Sequence, residues 1–230
     1  MRTGSKPSEP ADRFQPIEDV RSDEGPWPAM VWPPGASRLT GDVIELSQCI
    51  PEQDAGSLFE AIHHYAVWRH MAGQPKSPGE LAALLSARIR DGCVVWVVRL
   101  LRPHVGCPAG TVVGTSSYLD VSPADARLEI GATAYSPEVW GSKVNPETKF
   151  LLLSFAFDSL KAGRVQFKTD VRNTRSQLAI ARLGARFEGI LRRHLRRDDG
   201  TVRDSVLFSI IAEEWPSVRD RLRARLDGSR

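Results

Sequence analysis

Cysteine is scarce in this sequence. Three cysteines, Cys49, Cys93 and Cys107, occur among 230 residues, and they form no C-x-x-C pair. An odd number of widely spaced cysteines argues against a disulfide scaffold and favours a reducing, cytoplasmic environment. The five histidines do not fall at zinc-ligand spacing from these cysteines, so no metal site is expected.

Long hydrophobic runs are also missing. No segment approaches the roughly 20 apolar residues that a membrane span requires, and residues 1–13 are polar, without the apolar core of a signal peptide. We therefore expect a soluble cytoplasmic protein without membrane attachment. Its 41% apolar residues are ordinary for a globular chain that is long enough to bury a hydrophobic core.

The excess of positive charge is small. The formal net charge is +3 and the isoelectric point is near 8.9. This balance suits an anionic ligand but is too weak to predict nucleic-acid binding. The densest basic run, residues 192–197, predicts either a patch for an acidic acceptor or a nucleic acid, or a solvated hairpin flank. We favour the flank, because Asp198 and Asp199 partly neutralise it.

Residues 1–38 differ in composition from the rest of the chain. They contain seven of the sixteen prolines, and we expect them to form a flexible or extended arm. An apolar cluster within the arm either docks on the domain or forms an irregular lead-in strand, which we favour. Its members are Trp27, Met30, Val31 and Trp32. Residues 39–230 are predicted to form a single domain.

Hydrophobic periodicity predicts a mixed order of strands and helices. Strands are expected at residues 43–47, 93–101, 111–119, 127–135, 165–170, 186–195 and 201–211. Helices are expected at residues 51–62, 77–90, 146–161, 174–183 and 215–226. Ser77 is a predicted N-cap, and so is Asn145, which precedes Pro146. Asp198-Asp199-Gly200 is a strong hairpin signal.

The segment 127–184 has the order strand, loop, helix, strand, helix. Two strands joined by a long helix should lie parallel, with a right-handed crossover. The predicted fold is therefore a mixed α/β domain. It has a bent, mostly antiparallel sheet with a parallel splay at its centre, and helices on both faces.

The loop at residues 136–145 joins a strand to a helix. The first N–H groups of a helix have no internal partner, and the helix dipole is positive at that end. A diphosphate would be bound there by backbone donors. Gly141 allows close approach of the backbone, and Lys143 adds a positive charge. On these grounds alone an anion site and an empty strand–helix junction both remain open.

Several motifs, taken in order, resemble those of the GNAT acetyltransferases, and especially the RimJ/RimL-like branch of ribosomal-protein N-terminal acetyltransferases. The resemblance covers residues 39–215. The segment 129–131 resembles the central strand of that branch, and 146–153 with 156–157 its coenzyme A helix. The second motif of the branch is matched by Asp170, Asn173, Ser176, Ala179 and residues 183–185. The coenzyme A loop is matched by Trp140, Gly141, Ser142, Lys143, Val144 and Asn145.

The resemblance implies an acetyl-CoA-dependent N-acetyltransferase. It implies that the loop residues bind the diphosphate, that Ala134 and Tyr135 offer backbone N–H groups, and that Asn173 and Ser176 lie along the pantetheine arm. Ser176 is also a candidate catalytic residue near the sulfur. Two departures stand out. The superfamily loop is Q/R-x-x-G-x-G/A, and here its defining positions hold Trp140, Lys143 and Asn145. A tyrosine that protonates the leaving thiolate is replaced by Ile180.

Amine acylation requires a neutral amine, and a carboxylate acting through water would remove its proton. Glu129 is the candidate base, with a structural glutamate as the alternative. Asn173 and Ser176 are equally the residue types that cap a helix. Residues His63, His64, Tyr65 and Trp68 either line the acceptor cleft or pack in the core.

The predicted reaction is direct attack of a primary amine on acetyl-CoA, with a protein or peptide α-amino group implied by the branch. Two alternatives are a small-molecule amine acetyltransferase and a non-catalytic acyl-CoA-binding regulatory module. A nucleic-acid-associated protein is a weaker third. The long C-terminal strands leave a homodimer open.

Overall fold

Apolar segments of the sequence form the strands of a mixed sheet. The computed structural model of the protein describes residues 15, 17–18, 28–104 and 106–228. The strands are β1 (Arg38–Thr40), β2 (Ile44–Gln48), β3 (Val94–Leu100), β4 (Val112–Ser122), β5 (Arg127–Tyr135), β6 (Arg164–Asp170), β7 (Arg186–Arg196) and β8 (Val202–Ile211). Their spatial order is β1-β2-β3-β4-β5-β6-β8-β7. The β5–β6 pair is parallel and the other neighbouring pairs are antiparallel, as predicted.

The helices lie close to the predicted positions, with one short helix in addition. They are α1 (Pro51–Ile62), α2 (Tyr65–Trp68), α3 (Pro78–Arg90), α4 (Val144–Ser154), α5 (Thr174–Ala181) and α6 (Trp215–Asp227). The predicted N-cap at Ser77 is confirmed, because its hydroxyl accepts the Glu80 N–H at 3.1 Å. Within the described ranges, no helix has the length and apolarity needed to cross a membrane. The short α2 was not predicted, because four residues give no periodicity.

Helices cover both faces of the sheet, as predicted. On one face, α1 and α3 pack against the central strands through Leu58, Leu81 and Val95. On the other face, α4, α5 and α6 enclose the larger core, in which Leu152 and Val218 are almost completely buried. Because strand residues alternate between faces, both cores draw on the same strands.

The start of α4 differs from the prediction. We expected Asn145 to be the N-cap, but the helix begins at Val144 and Lys143 is its N-cap residue, without a side-chain cap hydrogen bond. The Ser142 hydroxyl accepts the Val144 N–H at 3.2 Å instead, which starts the helix two residues early. Pro146 still lies in the first turn, where its missing N–H has no cost.

The end of α4 differs as well. The prediction was one continuous helix over 146–161, but a π-helical turn, Phe155–Ser159, follows α4. The Leu160 N–H donates to the Phe155 carbonyl at 2.9 Å, an i→i−5 bond. This wider turn keeps both Phe155 and Phe157 buried in the larger core.

Much of the predicted N-terminal arm, including Trp27, lies outside the described residues. The stretch from residue 28 to residue 37 has no regular secondary structure. Met30 and Trp32 nevertheless pack against the larger core, and the Val31 N–H donates to the Leu160 carbonyl at 2.8 Å. This part of the chain is therefore docked on the domain.

Candidate active site

A cleft opens at the centre of the sheet, where β5 and β6 part. The two strands pair over only three positions, and the last pair is Glu129 with Gln166. Beyond it β5 stays on β4 as far as Tyr135, whereas β6 stays on β8 as far as Asp170. Over the described residues, the edge of β5 that faces β6 has no strand partner after Glu129. The predicted splay is confirmed.

A bulge in β5 accompanies this splay. Ser117 pairs with Gly131 and Thr115 pairs with Ala134, so β5 has an extra residue between these pairs. Ala132 adopts a positive φ of 47° there. Bulges bend a strand and re-aim its groups. The bulge lies immediately before Ala134 and Tyr135, the residues expected to offer backbone donors to the cofactor.

The predicted diphosphate loop lies at the start of α4. Gly141 has a φ of +77°, a conformation that favours glycine. Ser142 folds the loop, because its hydroxyl donates to the Val139 carbonyl at 2.6 Å. Among the described residues, the N–H groups of Gly141, Lys143 and Asn145 have no hydrogen-bond partner. Free donors at a helix N-terminus fit an anionic group such as a diphosphate.

Trp140 joins this loop to α5. Its indole N–H donates to the Tyr135 carbonyl at 3.1 Å. The guanidinium carbon of Arg175, in the first turn of α5, lies 3.9 Å from the centre of the Trp140 ring, a cation–π distance. Arg175 thus brings a positive charge beside the loop. No sequence pattern indicates this contact, because only the fold places α5 next to Trp140.

Lys143 points to a different partner from the one expected. Its ammonium group donates to the Leu226 carbonyl in the last turn of α6, where helix carbonyls lack internal partners. Lys143 also lines a cavity of about 440 Å³ between the loop and α6, together with Gly141 and Arg225. In this arrangement the Lys143 charge serves the end of α6, and backbone N–H groups are the donors of the loop.

Asn173 and Ser176 form the start of α5. The Asn173 side-chain oxygen accepts the Ser176 N–H at 3.1 Å, so Asn173 is the N-cap of this helix. Ile180, at the position of the family tyrosine, is buried in the larger core. It has no proton to give and does not face solvent, so the side chain that replaces the tyrosine contributes only packing.

Glu129 is buried on the face opposite the larger core. One of its carboxylate oxygens lies 2.8 Å from the Lys168 ammonium, and the Gln166 amide donates to the same oxygen at 3.4 Å. Burial raises the pKa of Glu129 above its ordinary value, while Lys168 acts in the opposite direction. A carboxylate with a raised pKa, located where the strands part, has the properties of a general base.

The aromatic cluster near α2 divides between core and surface. Trp68 is buried in the smaller core, and its indole N–H donates to the Ile62 carbonyl at 2.9 Å. His63 stacks on Phe59 with ring centres 4.2 Å apart, whereas Tyr65 is largely exposed. The core alternative therefore holds for Trp68.

These features can be compared with known proteins. The chain matches the family model of the acetyltransferase (GNAT) domain over residues 44–186. A protein assigned as an acetyltransferase from T. thermophilus is 37% identical, with a TM-score of 0.73 over 85% of this chain and 100% of that chain. The uncharacterized N-acetyltransferase p20 of Bacillus licheniformis is 28% identical over 104 residues, which span 45% of this chain and 57% of p20.

A further solved structure, of Mycobacterium smegmatis RimJ in complex with CoA-disulfide, shares the fold. It is 24% identical, with a TM-score of 0.66 over 86% of this chain and 96% of that chain.

A bent sheet with a central splay beside a helix N-terminus defines the class of acyl-CoA-dependent N-acyltransferases. Within that class, the chain belongs to the GNAT acetyltransferase family.

Proposed function

We propose that this chain transfers an acetyl group from acetyl-CoA to a primary amine by direct attack, and that the amine is the α-amino group of a protein or peptide. The splay between β5 and β6 carries the proposal, because it opens beside both the free N–H groups of the α4 loop and the buried Glu129. The similarity to the RimJ/RimL-like branch supports an α-amino acceptor.

The roles of the residues follow from their positions. Backbone N–H groups of Gly141 and Asn145 bind the diphosphate, with Arg175 close by. The β5 backbone at Ala134 and Tyr135 orients the pantetheine arm and the thioester carbonyl. When bound, acetyl-CoA supplies the activated acyl carbon. Glu129 accepts the amine proton through water as the new C–N bond forms. The C–S bond breaks with its electron pair on sulfur, so that CoA leaves as the thiolate and takes its proton from water.

The first test addresses the cofactor loop. In calorimetric titration we expect wild type to bind acetyl-CoA, and we expect Gly141→Asp to lose this binding because it places a carboxylate beside the diphosphate position. Gly110→Asp is the matched control, because Gly110 also has a positive φ, 84°, and open space around it. Equal affinities for wild type and Gly141→Asp would contradict the loop assignment.

The second test addresses the base. In wild type, kcat/KM should fall as the pH drops through the raised pKa of Glu129, because only the carboxylate accepts a proton. Glu129→Gln should lower kcat by about 100-fold or more and remove this acid limb of the pH profile.

Glu188→Gln is the control for this test, since Glu188 is an ion-paired carboxylate of the same sheet, on β7, which is separated from β5 by β6 and β8. A Glu129→Gln enzyme with an unchanged pH profile would remove Glu129 as the base. Tight acetyl-CoA binding without acetylation of any amine in a panel of peptides and small amines would instead support a regulatory module.

A further inference from the structure

On the side of the sheet to which Glu129 points, the face formed by β6 and β8 is polar. Val206, Phe208 and Ile210 of β8 are buried in the larger core. Because strand side chains alternate, Arg203 and Ser205 point to the opposite face. The register pairs Ser205 with Asp170 and Leu207 with Lys168. Arg203, Lys168 and Glu129 therefore share one face of the sheet.

Two side chains meet at the hydroxyl of Ser205. The Ser205 hydroxyl is fully buried, and it accepts a hydrogen bond from the Arg203 Nε–H at 3.0 Å. The His194 Nδ1 lies 3.0 Å from the same hydroxyl. The register of β7 shifts between Leu191 and Leu195, and this irregularity turns His194 back over β8. The Arg203 guanidinium is thus held against Ser205, whose register partner Asp170 is the last residue of β6 at the end of the sheet where β5 and β6 part.

The cations of this face have carboxylate partners, with one exception. Lys168 pairs with Glu129 at 2.8 Å, and Arg164 forms an ion pair with Glu188. Arg197 makes two hydrogen bonds to the Asp170 carboxylate, at 2.7 and 2.8 Å. Among the described residues, no carboxylate oxygen lies within 4.0 Å of the Arg203 guanidinium.

This exception has an energetic consequence. Arg203 is partly buried, and burial lowers its pKa, while the more distant Asp170 and Glu129 act in the opposite direction. A partly desolvated cation without an ion-pair partner is unfavourable. An anion bound at Arg203 would relieve that cost, and a carboxylate suits the planar fork of a guanidinium.

We propose that Arg203 binds a carboxylate of the acceptor, so that the substrate class of this enzyme is primary amines that also carry an acidic group. This inference rests on the proposed function, whose acceptor site it refines. The Arg203 side chain reaches back along β8 to the Ser205 hydroxyl, and Ser205 pairs with Asp170 of β6. Two residues along β6 lies Lys168, the ion-pair partner of Glu129, so the rows of Ser205 and Lys168 are about 6.6 Å apart along the strand. An acidic side chain at the second position of a peptide spans such a distance from the α-amino group, as does an acidic small amine.

Matched acceptors test this proposal. For tetrapeptide amides that differ only in Glu or Gln at position 2, we expect wild type to favour Glu in kcat/KM by about 10- to 100-fold. The pair 4-aminobutyrate and 4-aminobutyramide applies the same comparison to small amines and distinguishes the two sources of the carboxylate. The preference for Glu should disappear in Arg203→Gln, whereas Arg203→Lys should keep part of it. In Arg203→Glu, a peptide with Lys at position 2 should become a better acceptor than the Glu peptide.

Arg192→Gln is the matched control, because Arg192 is exposed on the same hairpin. Equal use of acidic and neutral acceptors by wild type would overturn the subsite, as would a preference that Arg203→Gln retains or that Arg192→Gln removes. These outcomes differ from failure of the proposed function, in which no amine is acetylated. In that case, calorimetric titration of the Glu and Gln peptides in the presence of CoA still decides whether Arg203 binds the carboxylate.

Discussion

Replacing Glu147 with alanine is expected to lower the free energy of unfolding by roughly 3–5 kcal/mol. The Glu147 carboxylate is buried in the first turn of α4. It accepts the N–H groups of Asp42, Val43 and Ile44 at 2.8, 2.9 and 2.8 Å. Its removal leaves three backbone donors without a partner. Urea denaturation measures the loss, and amide exchange at residues 42–44 should become faster.

Glu52→Ala is the control for this prediction, because Glu52 is also in the first turn of a helix but is exposed. We expect it to change stability by no more than about 0.5 kcal/mol. A similar small change for Glu147→Ala would show that water replaces the carboxylate at these donors.

Gly41 provides a second check on the Glu147 contact. A Cβ atom at Gly41 would lie 2.6 Å from the Glu147 carboxyl carbon, so Gly41→Ala should destabilise the protein by displacing this side chain. In the Glu147→Ala background the obstacle is gone, and the two effects should not add. Additive effects would mean that the glycine is required for another reason.

Features with local signals were predictable from the sequence. The hairpin at Asp198-Asp199-Gly200 and the cap at Ser77 formed as expected. A helix also follows the Gly141 loop, although its start and its end differ from the prediction. The parallel β5–β6 pair followed from the strand–helix–strand order. Each of these inferences uses residues that are neighbours in the chain or a connection rule with few exceptions.

Features that depend on distant residues were not predictable. The Glu147 carboxylate binds N–H groups that are 103 to 105 residues away in the sequence, and no spacing indicates such a contact. The same holds for the contact of Arg175 with Trp140. It also holds for Arg203, which has no carboxylate partner in the described part of the chain, a fact that only the placement of all the strands reveals. The prediction of Asn145 as the N-cap was wrong, because the Ser142 hydroxyl accepts the Val144 N–H and the helix begins earlier. That hydrogen bond depends on the conformation of the loop.

Lys149 is the other buried residue of α4 that can carry a charge, and its contribution to the free energy of unfolding should depend on pH. Its amine donates to Thr133 at 2.7 Å and to Ser116 at 3.0 Å, and burial lowers its pKa from 10.5 to about 7. Between pH 7 and pH 10.5, Lys149 is therefore protonated in the unfolded chain but not in the folded chain. Wild-type stability should therefore rise from pH 7 to pH 10, and level off below pH 7 once both states are protonated.

Lys149→Met should remove this dependence. Ser116 and Thr133 still bond to each other at 2.8 Å, so an apolar side chain of similar length leaves little unsatisfied. We expect the variant to be more stable than wild type near pH 7, by an amount on the order of 3–5 kcal/mol, and the gap to narrow as the pH rises. Urea denaturation at pH 7, 8, 9 and 10 measures both quantities.

Lys161→Met is the control, since Lys161 is exposed and donates to the Asp158 carbonyl at 2.7 Å. Parallel pH dependence of wild type and Lys149→Met would contradict a neutral Lys149 in the folded state. Lys149 destabilises the fold but binds Thr133, which lies next to Ala132 in the β5 bulge at the cleft. We therefore expect Lys149→Met to be more stable than wild type but to have a lower kcat. Such a result would mean that this buried polar group maintains the geometry of the active site and lowers the stability of the fold.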